Sequence, residues 1–178
     1  REQVPLYNWM ERMKRMPKLS VLMGIYNEKR KEQVELAISS ILNQSYRDFE
    51  FIICDDGSTK EFFLWLQEYC KTDERICLIR NEKNAGLAVA LNRCLTEAKG
   101  EYIARMDADD ISLPDRFEKQ IDFLEKHPQY AMVGCAVSLI DEEGSWGERI
   151  PAEKPQKTDF LWTSPFVHPS IMMRKSVL

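Results

Sequence analysis

Apolar and polar positions follow two rhythms along this chain. Near-continuous apolar runs occur at Leu19-Ser-Val-Leu-Met-Gly-Ile25, Asp48-Phe-Glu-Phe-Ile-Ile-Cys54, Ile76-Cys-Leu-Ile79 and Tyr102-Ile-Ala-Arg-Met106. Such runs predict strands buried on both faces, as in a parallel sheet. Between them the apolar residues recur at helical spacing. Val34, Ala37, Ile38, Ile41 and Leu42 mark a helix over 32–44. Phe62, Phe63, Leu66 and Tyr69 mark a second, and Leu87, Ala90, Leu91, Cys94 and Leu95 a third. Phe117, Ile121 and Leu124 place a fourth over 114–126. Ser58-x-x-Glu61 and Ser112-Leu-Pro-Asp115 read as capping boxes, Asn84 as an N-cap, and Gly100 and His127-Pro128 as stops. A further strand is expected over Tyr130–Ile140 and a last short one over His168–Met173. The polar stretch 141–165, with three prolines, predicts a long loop or lid. Residues 1–17 read as an N-terminal extension with a weak stripe at Trp9, Met13 and Met16, and 18–178 as one domain. Four strand–helix alternations predict an α/β fold with a mostly parallel central sheet flanked by helices.

In such a sheet, right-handed crossovers put the strand C-termini on one edge, and ligands bind there. Three strands end on that edge in polar groups: Tyr26-Asn27, Asp55-Asp56-Gly57-Ser58, and Asp107-Ala-Asp109-Asp110. One such end is explained by a solvated turn; three at equivalent positions point to a ligand. In extended chain Asp107 and Asp109 share a face and Asp110 points away. A same-side carboxylate pair repels itself unless a cation intervenes, and hard oxygen ligands suit Mg²⁺ or Mn²⁺. Beside such an ion a diphosphate is tolerated. Carboxylates such as Asp55 or Asp56 can accept from base or ribose groups, and Tyr26 can pack on a base. Neither G-x-G-x-x-G nor G-x-x-x-x-G-K-[ST] is present, so dinucleotide and P-loop readings lose their main support.

Composition narrows the field further. At 178 residues with net charge −4, the chain has no electrostatic case for a nucleic-acid partner. No apolar run approaches a membrane span of roughly 20 residues, and the start lacks the apolar core of a secretory leader. The absent initiator Met leads us to expect a fragment. Five scattered cysteines without a C-x-x-C pair read as free thiols in a reducing compartment, and neither His lies at zinc-ligand spacing.

Several ordered motifs together carry a resemblance. They are Leu19–Glu28, Ser39–Gln44, Phe51–Ser58, Asn81–Leu87, Gly100–Asp110 and Leu113–Arg116. The chain resembles family 2 glycosyltransferases of the GT-A fold, a Rossmann-like sandwich, and is most similar to bacterial enzymes of cell-surface polysaccharide synthesis. The resemblance implies metal-dependent, inverting transfer from a nucleoside diphosphate sugar, commonly a UDP-sugar, to a saccharide or lipid-linked acceptor. It assigns the donor site to Tyr26, Asn27, Asp55, Asp56, Asn84, Gly86, Arg105 and Asp107. It assigns Mn²⁺ or Mg²⁺ to Asp107 and Asp109, with Asp109 as the direct ligand and His168 as a further contact. The general base is expected beyond Leu178. At Gly24 many relatives carry Pro, Thr or Ser, so a side-chain contribution to the nucleoside pocket is missing. Arg105 can simply pair with a neighbouring carboxylate. Asp115 and Arg116 read as a cap and a surface pair, and Trp146 and Trp162 as sugar-stacking or lid anchors. A cytoplasmic location, peripheral at the inner membrane face, follows from the same resemblance. A nucleotidyltransferase of similar sheet, an inactive donor-binding module and an aspartate-nucleophile phosphatase remain as other readings.

Overall fold

The computed structural model describes residues 16–161 and 164–178. Trp9, Met13 and Trp162 therefore lie outside the described residues. Four parallel strands come first, β1 (Leu19–Ile25), β2 (Phe49–Asp55), β3 (Ile76–Arg80) and β4 (Tyr102–Arg105). Between and after them run α1 (Lys31–Leu42), α2 (Lys60–Cys70), α3 (Leu87–Glu97) and α4 (Arg116–Lys126). The main sheet is completed by β5 (Met132–Val133) and β8 (Met172–Arg174) in the order β3-β2-β1-β4-β8-β5. Strand β8 runs antiparallel to both its neighbours.

Strand alternation explains the layers. Val21, Met23, Phe51, Ile53, Tyr102 and Ala104 pack against α1, α2 and α4 on one face. Leu22, Ile52, Cys54 and Ile103 point the other way and meet Ala90 and Cys94 of α3. Both faces are covered, which is why these strands read as unbroken apolar runs. Gly24 falls on the α3 face. A Cβ there would lie 2.9 Å from Leu87 Cδ1 and 3.3 Å from Ala90 Cβ, so the space a larger residue would take is filled by α3.

The sequence expectations need correction at several boundaries. Helix α2 is capped by Thr59, whose Oγ1 accepts from Phe62 N at 3.3 Å, because Ser58 is already used as an acceptor elsewhere. Helix α3 starts from Gly86, not Asn84, and ends at Glu97 with Ala98 extended, so Gly100 is not its stop. Gly100 instead lets two strands approach: a Cβ would sit 2.5 Å from Ser20 N. Ser112 does not cap α4. Its N–H donates to Ser40 Oγ at 3.0 Å, and its Oγ accepts from Gln44 Nε2 at 3.1 Å. Asp115 sits at the N-cap without a capping bond and pairs with Lys119 at 2.5 Å. The cap comes from another helix's end, as Gln44 Oε1 accepts from Phe117 N at 3.1 Å. Arg116 is not a surface residue but is 9% exposed.

The expected strand over 130–140 splits. Only Met132–Val133 joins the main sheet, while β6 (Val137–Asp141) pairs with β7 (Gly144–Arg149) as a separate antiparallel hairpin inside the expected loop. Asp141 Oδ1 accepts from Glu143 N and Gly144 N at 2.8 and 3.2 Å, and Gly144 has φ 123°, which nucleates that turn. The expected strand at 168 begins as a 3-10 turn, His168–Ser170, before β8.

Candidate donor and metal site

The strand order reverses at β1, with β2 on one side and β4 on the other, and the three polar strand ends meet at that point. Two shallow depressions lie at the opposite edge, one lined by Arg47 and Thr72–Arg75, the other by Lys18, Asp48, Lys99–Glu101 and Arg174–Ser176. Neither touches the polar strand ends.

At the end of β1 the Tyr26 ring is half exposed. Asn27 follows with φ 44°, a left-handed conformation that Asn tolerates better than most residues. It is tied across to the end of β2: Asn27 N donates to Ser58 Oγ at 2.9 Å, and Thr59 N donates to Asn27 Oδ1 at 2.8 Å.

The β2 end is inward-looking. Asp55 is 0% exposed and Asp56 is 3% exposed. Asp55 Oδ1 accepts from Ser58 N at 3.3 Å, while Oδ2 lies 3.1 Å from Arg80 Nε without a hydrogen bond to it. Arg80 is held in turn over the Phe63 ring, 4.0 Å from its centroid, and donates to Ser58 O at 2.7 Å. Asp56 accepts from Asn81 Nδ2 at 2.6 Å, from Ala85 N at 3.1 and 3.0 Å, and from Gly86 N at 2.8 Å. It thereby fixes the Ala85–Gly86 backbone that leads into α3. Gly57, with φ 73°, is required where the turn crosses this loop, since a Cβ would lie 2.5 Å from Lys83 C. Asn84 is exposed on the loop and Gly86 has φ 91°.

The β4 end differs. Strand β4 stops at Arg105, and the following turn brings Asp107, Asp109 and Asp110 together, each offering an oxygen within 4.8 Å of the others. Asp110 therefore does not point away: the chain is no longer extended there, so strand alternation does not apply. At that spacing each like-charge pair costs between about 1 and 3.5 kcal/mol, from the dielectric of water to that near a protein surface. Burial first, then the charges of Asp107 and Asp109, push the Asp110 carboxyl above its ordinary range. Among the described residues this is the one group of three or more metal-type ligands. Its all-oxygen donor set and unmet negative charge fit a hard divalent cation.

Two buried arginines sit behind the turn. Arg105, 7% exposed, meets Asp107 through Nη1–Oδ2 at 2.8 Å and Nη2–Oδ1 at 2.5 Å. Arg116 donates from Nη2 to Arg105 O at 2.8 Å and from Nε to Gln120 Oε1 at 3.2 Å. Burial lowers the Arg116 pKa to about 10. His168 is exposed and outside the carboxylate group; burial first, then the charge of Arg105, lowers its pKa, while Asp107 raises it. Sequence reasoning did not single out Gln44, which donates to Ser40 O, Ser112 Oγ and Leu113 O and fixes the chain after the acidic turn. Its place three residues beyond buried Ile41 on the α1 stripe was the available signal.

Comparison with known proteins places this geometry. EpsE of Bacillus subtilis is 47% identical over 161 residues, covering 90% of this chain and 57% of EpsE. The amylovoran biosynthesis glycosyltransferase AmsE of Erwinia amylovora is 34% identical over 158 residues, covering 88% of this chain and 59% of AmsE. The chain thus spans little more than half the length of these relatives. Among solved structures, the mannosyltransferase PcManGT of Pyrobaculum calidifontis, in complex with GDP-Man and Mn²⁺, superposes with TM-score 0.67 at 19% identity. It covers 97% of this chain and 52% of that one, and shows the GT-A fold that the resemblance implied. The family description "Glycosyl transferase family 2" matches residues 20–178, and with its order of strands and acidic turn this chain belongs to that family.

Proposed function

We propose that the chain is the donor-binding part of an enzyme that transfers a sugar from a nucleoside diphosphate, first of all a UDP-sugar, to a saccharide or lipid-linked acceptor with inversion. The convergence of Asp107, Asp109 and Asp110 after β4, whose neighbour β1 leads into Tyr26 at the point where strand order reverses, carries this reading. Carboxylates and a diphosphate share one crevice only with a cation between them. Asp109, with the rest of this cluster, would hold Mn²⁺ or Mg²⁺, which when bound would supply positive charge for the departing diphosphate.

The chain's own residues supply the frame. Tyr26 offers an open ring to the base. Asp55, fully buried beside Arg80, acts on the nucleoside pocket from behind, by holding Arg80 and the Ser58 turn. Asp56 acts through the Asn81–Gly86 loop, since its oxygens are taken by that loop's donors. Exposed Asn84 and His168 flank the donor from opposite sides. A polysaccharide-type acceptor is supported by the name of AmsE. No helix of the described residues is long and apolar enough to cross a membrane. A lipid-linked acceptor would be met at the cytoplasmic membrane surface, as the family resemblance implies.

Calorimetric titration with UDP, GDP, CDP and TDP, each with and without Mn²⁺, tests the proposal. Binding of one nucleotide that requires Mn²⁺ and is lost in Asp109→Ala is the expected result. No binding under any condition, by a folded protein, sinks it.

A further inference from the structure

Arg105 is an unusual neighbour for a metal site. It is 7% exposed, with backbone bonds on both sides: its N–H donates to Ile171 O at 3.0 Å, and its carbonyl accepts from Arg116. Arg105 is the last residue of β4, and Asp107 lies in the turn that follows, where the chain brings its carboxylate back onto the guanidinium. The guanidinium fork covers both oxygens of Asp107, at 2.8 and 2.5 Å. Such two-pronged pairing fixes a carboxylate's plane as well as its charge. Arg105 Nε is buried without a partner, so the fork is directed at Asp107 rather than shared around.

From this we infer that Arg105 is a positioning residue that withholds Asp107 from the metal until donor arrives. The inference rests on the donor-site reading above. With Asp107 clamped, the ion meets two open carboxylates, Asp109 and Asp110, in place of three. Affinity of a hard cation rises with the number of charged ligands, so the clamped site holds the ion loosely on its own. Donor would then supply what the clamped site lacks, so that metal and nucleotide would bind together. The coupling is reciprocal: what the nucleotide adds to metal affinity, the metal adds to nucleotide affinity.

Arg105→Lys is the decisive variant, because it keeps the positive charge but cannot cover both oxygens. Mn²⁺ binding is measured by calorimetry and by the loss of the free-ion electron paramagnetic resonance signal, with and without the preferred nucleoside diphosphate. The expected result is at least a threefold tighter Mn²⁺ site without nucleotide, and a coupling factor reduced at least threefold. In Arg105→Lys combined with Asp107→Asn that gain disappears. A merely structural role for Arg105 would lower the unfolding temperature but would not tighten the metal. Should Arg105→Lys not fold, Arg105→Gln, which also removes the charge, is read against Arg105→Gln combined with Asp107→Asn: a gain that disappears in the double variant supports the inference, and a gain that survives there comes from the lost charge and overturns it. An unchanged or weaker Mn²⁺ site in a folded variant overturns the inference and leaves the donor-site reading standing. No Mn²⁺ binding by the wild-type chain, with or without nucleotide, overturns both.

Discussion

Strands β2 and β4 both end in neighbouring aspartates, and the two ends do opposite things. Asp55 and Asp56 are buried and spend their oxygens on Ser58, Arg80, Asn81, Ala85 and Gly86. Asp107, Asp109 and Asp110 crowd one another, and the Arg105 fork engages only Asp107 directly. Consecutive acids at a strand's end therefore do not announce a role. Where backbone N–H groups converge on the carboxylates they hold a loop; where carboxylates converge on each other they wait for a cation.

The sharpest test of that contrast is Asp56→Ala. It strips acceptors from the buried Asn81 amide and from the Ala85 and Gly86 N–H groups together, and a loss of about 3 kcal/mol in stability is expected from orphaning donors that bond a carboxylate. Chemical denaturation checks it. At the other end Asp109→Ala should not lower the unfolding midpoint, and by relieving like-charge repulsion should raise it slightly, while weakening metal-dependent nucleotide binding about a hundredfold, comparable to losing other electrostatic stabilisers of developing charge. If the two substitutions behave alike in both assays, the division between frame and site is wrong. Next comes Gly57→Ala, which asks for φ 73° from an L residue and drives a Cβ into Lys83 backbone. About 2 kcal/mol of destabilisation is expected, with nucleotide affinity falling less than stability.

The smallest effect concerns Asp110. Its carboxyl lies above the ordinary range because of burial and its two acidic neighbours. The folded state thus holds that proton more tightly than the unfolded chain does. Stability from this group is present at low pH and is lost as pH rises through the raised folded value. Metal-free Asp110→Asn should therefore unfold at a slightly higher temperature than wild type near neutrality, and the difference should shrink as pH falls toward the ordinary carboxylate range. Thermal scans from about pH 4 to pH 7 read this out. A lower unfolding temperature for the variant at neutral pH would show that the cluster is already compensated.

Much of the frame was legible because burial on both sides imposes unbroken apolar runs on β1 to β4, and one-sided burial imposes helical stripes on α1 to α4. The three polar strand ends followed from the crossover rule alone. What escaped was chosen by partners distant in sequence. Thr59 displaced Ser58 as a cap because Ser58 was claimed by Asn27, thirty-one residues earlier. Gln44 serves a helix that begins at Arg116, and no local pattern encodes that. Arg116 and Gln120 are polar residues four apart on the inward stripe of α4, a spacing that points to a buried pair. Asp110 was misdirected because alternation was extended past the strand's last residue. The hairpin β6–β7 hid in a polar stretch because it packs little: Ile140 and Trp146 remain more than half exposed.

One feature of the sheet bears on how the molecule comes to be made. Strand β8 fits between β4 and β5, yet it leaves the ribosome after every other strand of this sheet. Until Met172–Arg174 emerges, β4 has an open edge and β5 has no neighbour in the main sheet. Arg174 then locks the seam, donating to Tyr130 O, Leu124 O and Tyr102 Oη. During synthesis the first four strands can assemble while that edge is bare, and a bare edge accepts any strand that reaches it. A nascent chain paused just short of residue 172 is the form most exposed to pairing with a neighbour.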